Sequence, residues 1–382
     1  MPRLKILAVY GTRPEAIKMA PVVAALGRRP GVFEVTVCAT GQHREMLDQV
    51  QDLLGLAPDL DLRLMRHDQS LNGLASAALA AMDEVLVSHT PDWLLVQGDT
   101  TTALAAALAA FHRGVRVGHV EAGLRTGDLA RPFPEEANRR LIDVLAAALF
   151  APTERAGRAL LAEGCDPGRV HVVGNTVIDA LESLPGLREE TPERPEVLIT
   201  VHRRESFGAP LREIFAALRR LAESFPGVDW IYPVHPNPNV RGPALEILGG
   251  LPNLQLHDPF DYGELVRRLA RCRFALTDSG GIQEEAPTFG KPVLVLRETT
   301  ERPEGVEAGV ARLVGADQER IVAGASELLT SERAYEAMAR AVNPYGDGHA
   351  AERIAAILAG EPWTPFRPAG SEAAVPPALA AR

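Results

Sequence analysis

Three acidic residues stand where a short apolar run gives way to a loop. They are Asp99 in Gln97-Gly98-Asp99-Thr100-Thr101-Thr102, Glu121 in His119-Val120-Glu121-Ala122-Gly123-Leu124-Arg125, and Glu135 in Pro132-Phe133-Pro134-Glu135-Glu136. Neighbouring carboxylates partly shielded from water have separated proton affinities, so one can hold a proton while another is ionised, which is what paired acid–base chemistry needs. Singly, each has an ordinary alternative: Asp99 as a helix N-cap, Glu121 as a structural partner of Arg125. Together at one sheet edge they point to a proton-transfer cluster.

Other segments suit an anion. In Gly11-Thr12-Arg13-Pro14-Glu15-Ala16-Ile17-Lys18, Thr12 and Glu15 have capping-box spacing and Pro14 suits a first helical turn, so free N–H groups converge with the cations of Arg13 and Lys18. Lys18 is one of three lysines among forty basic residues, a retention that suits a site needing a compact ammonium. In Asp278-Ser279-Gly280-Gly281-Ile282-Gln283-Glu284-Glu285, two glycines at a helix start admit a phosphate, Ser279 adds a hydroxyl, and Glu284 or Glu285 could accept both hydroxyls of a ribose. His202, beside Arg203 and Arg204 after an apolar run, could neutralise a diphosphate leaving group, and His235 lies in a second, proline-rich loop. The chain has neither a GxGxxG dinucleotide fingerprint nor a lysine-bearing phosphate loop. His119 and Glu121 lack a third ligand at convincing spacing, so no metal site is expected.

These residues need elements to hold them. Short β-rich runs alternate with amphipathic helical segments. Strands are predicted near 5–10, 34–40, 93–97, 115–120, 149–151 and 170–173, then near 197–201, 229–233, 254–257, 274–277, 293–296 and 311–314, with helices between them such as 16–29, 211–224 and 262–272. Near-continuous apolar strands separated by helices indicate α/β architecture, with parallel sheets covered on both faces. Two such series predict two doubly wound domains, with the crossing between Gly174 and Arg194. Ligands in such sheets sit beyond the carboxyl ends of the strands, where the residues above fall.

Composition agrees. The 382 residues suffice for two cores, and 46% hydrophobic with 24% charged is ordinary for a soluble enzyme. A net charge of −10 argues against a general nucleic-acid binder. Three dispersed cysteines give no disulfide framework, the N-terminus lacks a signal-peptide layout, and the apolar run at 104–111 is too short to span a bilayer, so a cytoplasmic protein is expected.

The motifs resemble those of the non-hydrolysing UDP-N-acetylglucosamine 2-epimerase family. The resemblance runs from Leu4 to Leu358 and rests on GTRPEAIKMAP (11–21), GDTTT (98–102), GHVEAGLRTGD (118–128), PEEANR (134–139), GNTVIDAL (174–181), HRRESFG (202–208), DSGGIQEEAP (278–287), TTERPEG (299–305) and NPYGDG (343–348). It implies two Rossmann-like domains facing a central cleft in a GT-B-like arrangement, 1–175 and 176–348, with a helix near 349–362 packing back on the first; the five prolines after Glu361 predict an ordered end followed by a disordered tail, 363–382. It also implies a homodimer that needs no cofactor and interconverts UDP-GlcNAc and UDP-ManNAc by eliminating UDP to 2-acetamidoglucal, supplying ManNAc units for cell-surface polysaccharide. By resemblance, Asp99, Glu121 and Glu135 are the acid/base groups, with His202 also catalytic. Arg13, Lys18 and His202 hold diphosphate and sugar, Ser279, Gly280 and Gly281 contact phosphate, and Glu285 binds ribose.

Regulated members bind a second UDP-GlcNAc, and Gln42, Arg203 and His235 match that site. Two positions depart from it: Glu45 ends Gln42-His43-Arg44-Glu45 where a glutamine is usual, and Asp68 stands where an arginine is expected, which implies weakened or altered activation. A GT-B glycosyltransferase, a hydrolysing epimerase and a non-enzymatic sugar-nucleotide sensor are the alternatives, separable by their products.

Overall fold

The computed structural model describes residues 2–41, 44–66, 68–184, 186–187 and 192–369. The chain forms two compact units, one made of Met1–Leu184 with Tyr345–Arg382, the other of Pro185–Pro344. Unit 1 alternates β1 (Leu4–Tyr10), α1 (Arg13–Gly27), β2 (Phe33–Ala39), α2 (Arg44–Leu54), β3 (Leu60–Asp61), α3 (Leu71–His89), β4 (Trp93–Gln97), α4 (Thr101–His112), β5 (Arg116–Val120), α5 (Glu135–Leu145), β6 (Ala148–Ala151), α6 (Glu154–Ala162), β7 (Val170–Val172) and α7 (Thr176–Ser183). Its seven parallel strands run in the order β3-β2-β1-β4-β5-β6-β7. The centre is apolar on both faces because helices cover both: Leu94, Leu95 and Val96 are sealed, and buried alanines of α4 let that helix approach closely. By length and composition α3 could cross a membrane, yet its Leu74, Ala78, Met82, Val85 and Leu86 are buried in the unit.

Unit 2 repeats the plan with β8 (Glu196–Thr200), α8 (Ala209–Ser224), β9 (Asp229–Pro233), α9 (Pro238–Leu248), β10 (Leu254–His257), α10 (Tyr262–Arg271), β11 (Phe274–Thr277), α11 (Gly280–Glu285), β12 (Val293–Val295), α12 (Pro303–Glu307), β13 (Ala311–Leu313), α13 (Gln318–Thr330) and α14 (Glu332–Ala339). Its sheet order is β10-β9-β8-β11-β12-β13, with Trp230, Tyr232, Phe215 and Phe274 in its core. In both sheets the winding reverses between the first strand and the fourth, β1/β4 and β8/β11, which are the ligand-binding switch points of doubly wound folds.

The chain returns to unit 1 as α15 (Ala350–Ala359), which packs on α1 and α7. Asp179 of α7 accepts the N–H groups of Ala350 and Ala351 at 3.2 and 2.8 Å, occupying two donors that the helix start leaves open. Residues 363–369, placed by the sequence in a disordered tail, are held against unit 1. Trp363 sets its ring edge-on to His171, and Phe366 is buried and donates its N–H to Val172 O at 2.9 Å, so two aromatic side chains anchor this segment. Residues 370–382 lie outside the described residues. Two further differences are local. Strand β3 spans two residues, too few for any periodicity, and α1 starts at Arg13 rather than Ala16 because Glu15 closes a capping box on Thr12.

Candidate active site

Asp99 and Glu121 follow β4 and β5, which are adjacent, so topology places both at one edge. Their surroundings differ. Asp99 Oδ2 lies 2.6 Å from Arg139 Nη2, its carbonyl accepts from Asn138 Nδ2 at 2.9 Å, and its side chain is 27% exposed. Burial is the main influence and pushes its carboxyl above the usual range; Arg139 opposes this, Glu135 adds to it, and Lys18 and His119 pull it back. The N-cap of α4 is Thr100, which accepts from Ala103 N–H, so Asp99 is not spent on capping. Glu121, by contrast, is ringed by donors: Lys18 Nζ and Asn175 Nδ2 on Oε1, Gln97 Nε2 on Oε2. It does not pair with Arg125, which binds Asp143 and Glu163 instead. Glu121 sits at φ +69°, in the left-handed region that non-glycine residues avoid. Such strain, of order 1–3 kcal/mol, persists where surroundings over-determine the residue, here three donors from α1, β4 and the loop before α7.

Glu135 opens α5. Its neighbour Glu136 is the sealed one, accepting from Thr126 and Gly127 N–H and pairing with Arg139 and Arg140. At the start of α1, buried Glu15 accepts from Gly11 and Thr12 N–H through Oε2 and from Thr100 through Oε1, tying the β1 loop to the β4 loop across the switch point. Arg13 is the first residue of α1, and Lys18 is one turn beyond it on Glu121. Behind the edge, His119 is sealed between Asp143 and the Gly98 carbonyl, with both ring nitrogens engaged.

The switch point of unit 2 gathers a second set. Asp278, sealed at the end of β11, accepts the N–H groups of His202 and Arg203 at 2.9 and 2.8 Å, fixing the loop after β8. Its Oδ1 lies 3.4 Å from His202 Nδ1, and the His202 ring stacks on His235 with centroids 5.6 Å apart. Ser279 is the N-cap of α11 without using its hydroxyl there, and Gly280 and Gly281 form the first turn. At Gly280 a Cβ would meet the Arg302 guanidinium at 2.7 Å, so any larger residue there would have to displace that side chain. Arg302 pairs with Glu284 at 2.9 Å. Of the proposed regulatory residues, Arg203 and His235 belong to this loop pair, and Gln42 lies outside the described residues.

Sequence reading did not single out Gln97, Arg139, Asn175, Asp278 and Arg302 for these roles. Four stand inside quoted motifs, and Arg139 is one helical turn past Glu135, a spacing that puts both on one face. Gln97, the last residue of β4, carries no such signal.

Two doubly wound parallel units, each with polar and charged side chains gathered at its switch point, define the chain as an α/β protein of the Rossmann-like class. The comparisons give the particular family. The family pattern described as UDP-N-acetylglucosamine 2-epimerase matches residues 24–359. The UDP-N-acetylglucosamine 2-epimerase of Escherichia coli (strain K12) is 51% identical over 370 residues, covering 93% of this chain and 98% of that protein. The crystal structure of UDP-GlcNAc 2-epimerase from Neisseria meningitidis bound to UDP-GlcNAc superposes with a TM-score of 0.87 at 44% identity, covering 94% of this chain and 100% of that one. The S. aureus MnaA-UDP co-structure has a TM-score of 0.84 at 45% identity, covering 93% and 96%. The chain belongs to the UDP-N-acetylglucosamine 2-epimerase family.

Proposed function

We propose that the enzyme interconverts UDP-GlcNAc and UDP-ManNAc through 2-acetamidoglucal without releasing free sugar. The observation that carries this reading is the pair of unlike carboxylates: Glu121 ringed by three donors, Asp99 desolvated and raised. The proton at C2 has no adjacent carbonyl, so direct removal is very slow; loss of the C2 proton with departure of the diphosphate from C1 forms a C1=C2 double bond instead. The C1–O electron pair leaves with UDP, and return of UDP with protonation of the opposite C2 face inverts that centre. Two opposed faces need more than one proton-transfer group. Asp99, Glu121 and Glu135 are those groups. Arg13, Lys18 and His202 meet the diphosphate charge, Ser279, Gly280 and Gly281 its oxygens, and Glu285 the ribose hydroxyls. No step calls for a metal or redox cofactor. The enzyme works in the cytoplasm on sugar nucleotides destined for cell-surface polysaccharide.

Val87, Phe111, Leu141 and Val144, each more than half exposed on the neighbouring helices α3, α4 and α5, support a homodimer. Glu45 and Asp68 support a UDP-GlcNAc dependence that is hyperbolic or only weakly sigmoidal. The deciding experiment is proton NMR of the purified protein with UDP-GlcNAc in D2O. The reading expects a UDP-GlcNAc/UDP-ManNAc mixture with deuterium at C2. Free ManNAc with UDP would assign a hydrolysing enzyme, and turnover only with an added acceptor a glycosyltransferase.

A further inference from the structure

His119 is fully buried near the end of β5, and none of the roles above uses it. Its Nδ1 lies 2.6 Å from Asp143 Oδ1 and its Nε2 lies 2.7 Å from the carbonyl oxygen of Gly98. A carbonyl has no proton to give. Asp143 also accepts from Gly123 N–H at 3.3 Å and Arg125 Nη2 at 2.8 Å. Burial pushes its carboxyl up, but His119 and Arg125 outweigh that and hold it below the usual range. A neutral imidazole would turn a bare lone pair towards one of these two acceptors, so hydrogen-bond bookkeeping puts a hydrogen on each ring nitrogen. Asp143 belongs to a larger ion-pair network: Arg125 joins it to Glu163 at the end of α6, and Arg140 of α5 also reaches Glu163 at 3.5 Å.

We propose that His119 is a positioning residue, an imidazolium whose two N–H groups clamp the Gly98–Asp99 turn from behind and fix where the Asp99 carboxyl points. The turn is held from both ends by β5, since Gly98 N–H donates to Val120 O at 3.1 Å while Gly98 O accepts from His119. Gly98 sits at φ +70°, so its carbonyl direction is set by these contacts and not by a regular helix or strand. Asp99 comes next, with Asn138 and Arg139 gripping it from α5. Asp143, which receives the other His119 N–H, is also on α5. One imidazolium thus registers β4, β5 and α5 at the point where the proton moves. Its charge also opposes the effect of burial on Asp99. This inference rests on Asp99 being an acid/base group.

The wild-type enzyme supplies the first test. Ring-nitrogen NMR of histidine-labelled protein at pH 7.5, with the His119 signals identified by their loss in His119→Gln, should show two protonated nitrogens; one bare nitrogen overturns the proposal. Kinetics supply the second. Gln can donate to Gly98 or Asp143 but not to both, so His119→Gln should lower kcat about 10²-fold, the cost of a misplaced reacting group, with UDP affinity kept within about threefold. The pH limb governed by Asp99 should move up as well. A merely structural role would instead reduce the fraction of protein that binds UDP and leave kcat per binding site unchanged, which refutes positioning. Near-wild-type turnover in Asp99→Asn would instead sink the underlying reading of Asp99, so the two failures are told apart.

Discussion

Arg139 is the strongest charge opposing the desolvation of Asp99, and Arg139→Met keeps most of its volume while removing that charge. An arginine beside a carboxylate lowers the pKa by about 1–3 units. The contact here is 2.6 Å, and with 27% of the Asp99 side chain open to water, solvent screens part of that hold without removing it. Asp99 already titrates above an ordinary aspartate, so the variant should carry it further towards neutrality. If Asp99 takes the C2 proton in one direction, kcat there falls as the pH drops through its pKa, and that acid limb should move to higher pH in the variant. In the reverse direction Asp99 delivers the proton, and the alkaline limb should rise equally. The assay is kcat against pH in both directions, with Arg139→Lys as the charge-keeping control. Glu136 retains Arg140 at 3.2 Å, so the loop it holds stays paired. A uniform fall in kcat with neither limb displaced would refute this account and leave Arg139 as a mere brace of α5.

Other expectations follow from single contacts. Asp99→Asn and Glu121→Gln should each lower turnover by orders of magnitude while calorimetry finds UDP binding little changed, because UDP is expected on other residues. Burial raises Asp179 to about 6. A carboxyl whose folded pKa is raised favours the fold while protonated and loses that contribution as pH rises from its unfolded value through 6, here up to about 3 kcal/mol between roughly pH 4 and 7. In urea titrations, Asp179→Asn should therefore gain stability relative to wild type across that window, and a constant difference would contradict the assignment. Gly123→Ala should cost more than about 2 kcal/mol by the same titration, since φ is +87° and the added Cβ would lie 2.4 Å from the Ala156 carbonyl oxygen. Phe111→Asp with Val144→Asp should yield monomers in sedimentation if the exposed face of α4 and α5 is the dimer contact.

Much of this was legible in the sequence because parallel strands buried on both faces must be written as apolar runs. Runs such as Trp93–Gln97 and Phe274–Thr277 mark their strands to the residue. Residues just past those runs then fall at the carboxyl edge, which is how Asp99, Glu121, His202 and Ser279 stood out. What periodicity does not carry was missed: a two-residue strand at Leu60–Asp61, and a terminal segment held by two aromatics amid prolines. The choice of partners was also hidden. Glu121 faces Lys18, 103 positions away, rather than the nearby Arg125, because the turn after β5 reaches α1 at the carboxyl edge of the sheet while Arg125 turns towards α5 and α6.

That hidden choice of partners is what makes the carboxylates chemically different. The sequence presents Asp99 and Glu121 alike, each an acid after an apolar run. In the fold, three donors from separate segments converge on the Glu121 carboxyl, and the left-handed backbone that aims it there survives because those donors hold it. Asp99 has one arginine, a neighbouring Glu135 and a desolvated setting, so a proton can rest on it at modest cost. A reaction that removes a proton from one face of a carbon and returns one to the other needs this inequality, since two identical acids would be charged or neutral together. The inequality therefore resides in Lys18, Gln97, Asn175 and Arg139. Exchanging those surroundings, by Lys18→Met on one side or Arg139→Met on the other, should disturb the pH dependence of the enzyme more than any change confined to its phosphate-binding turn.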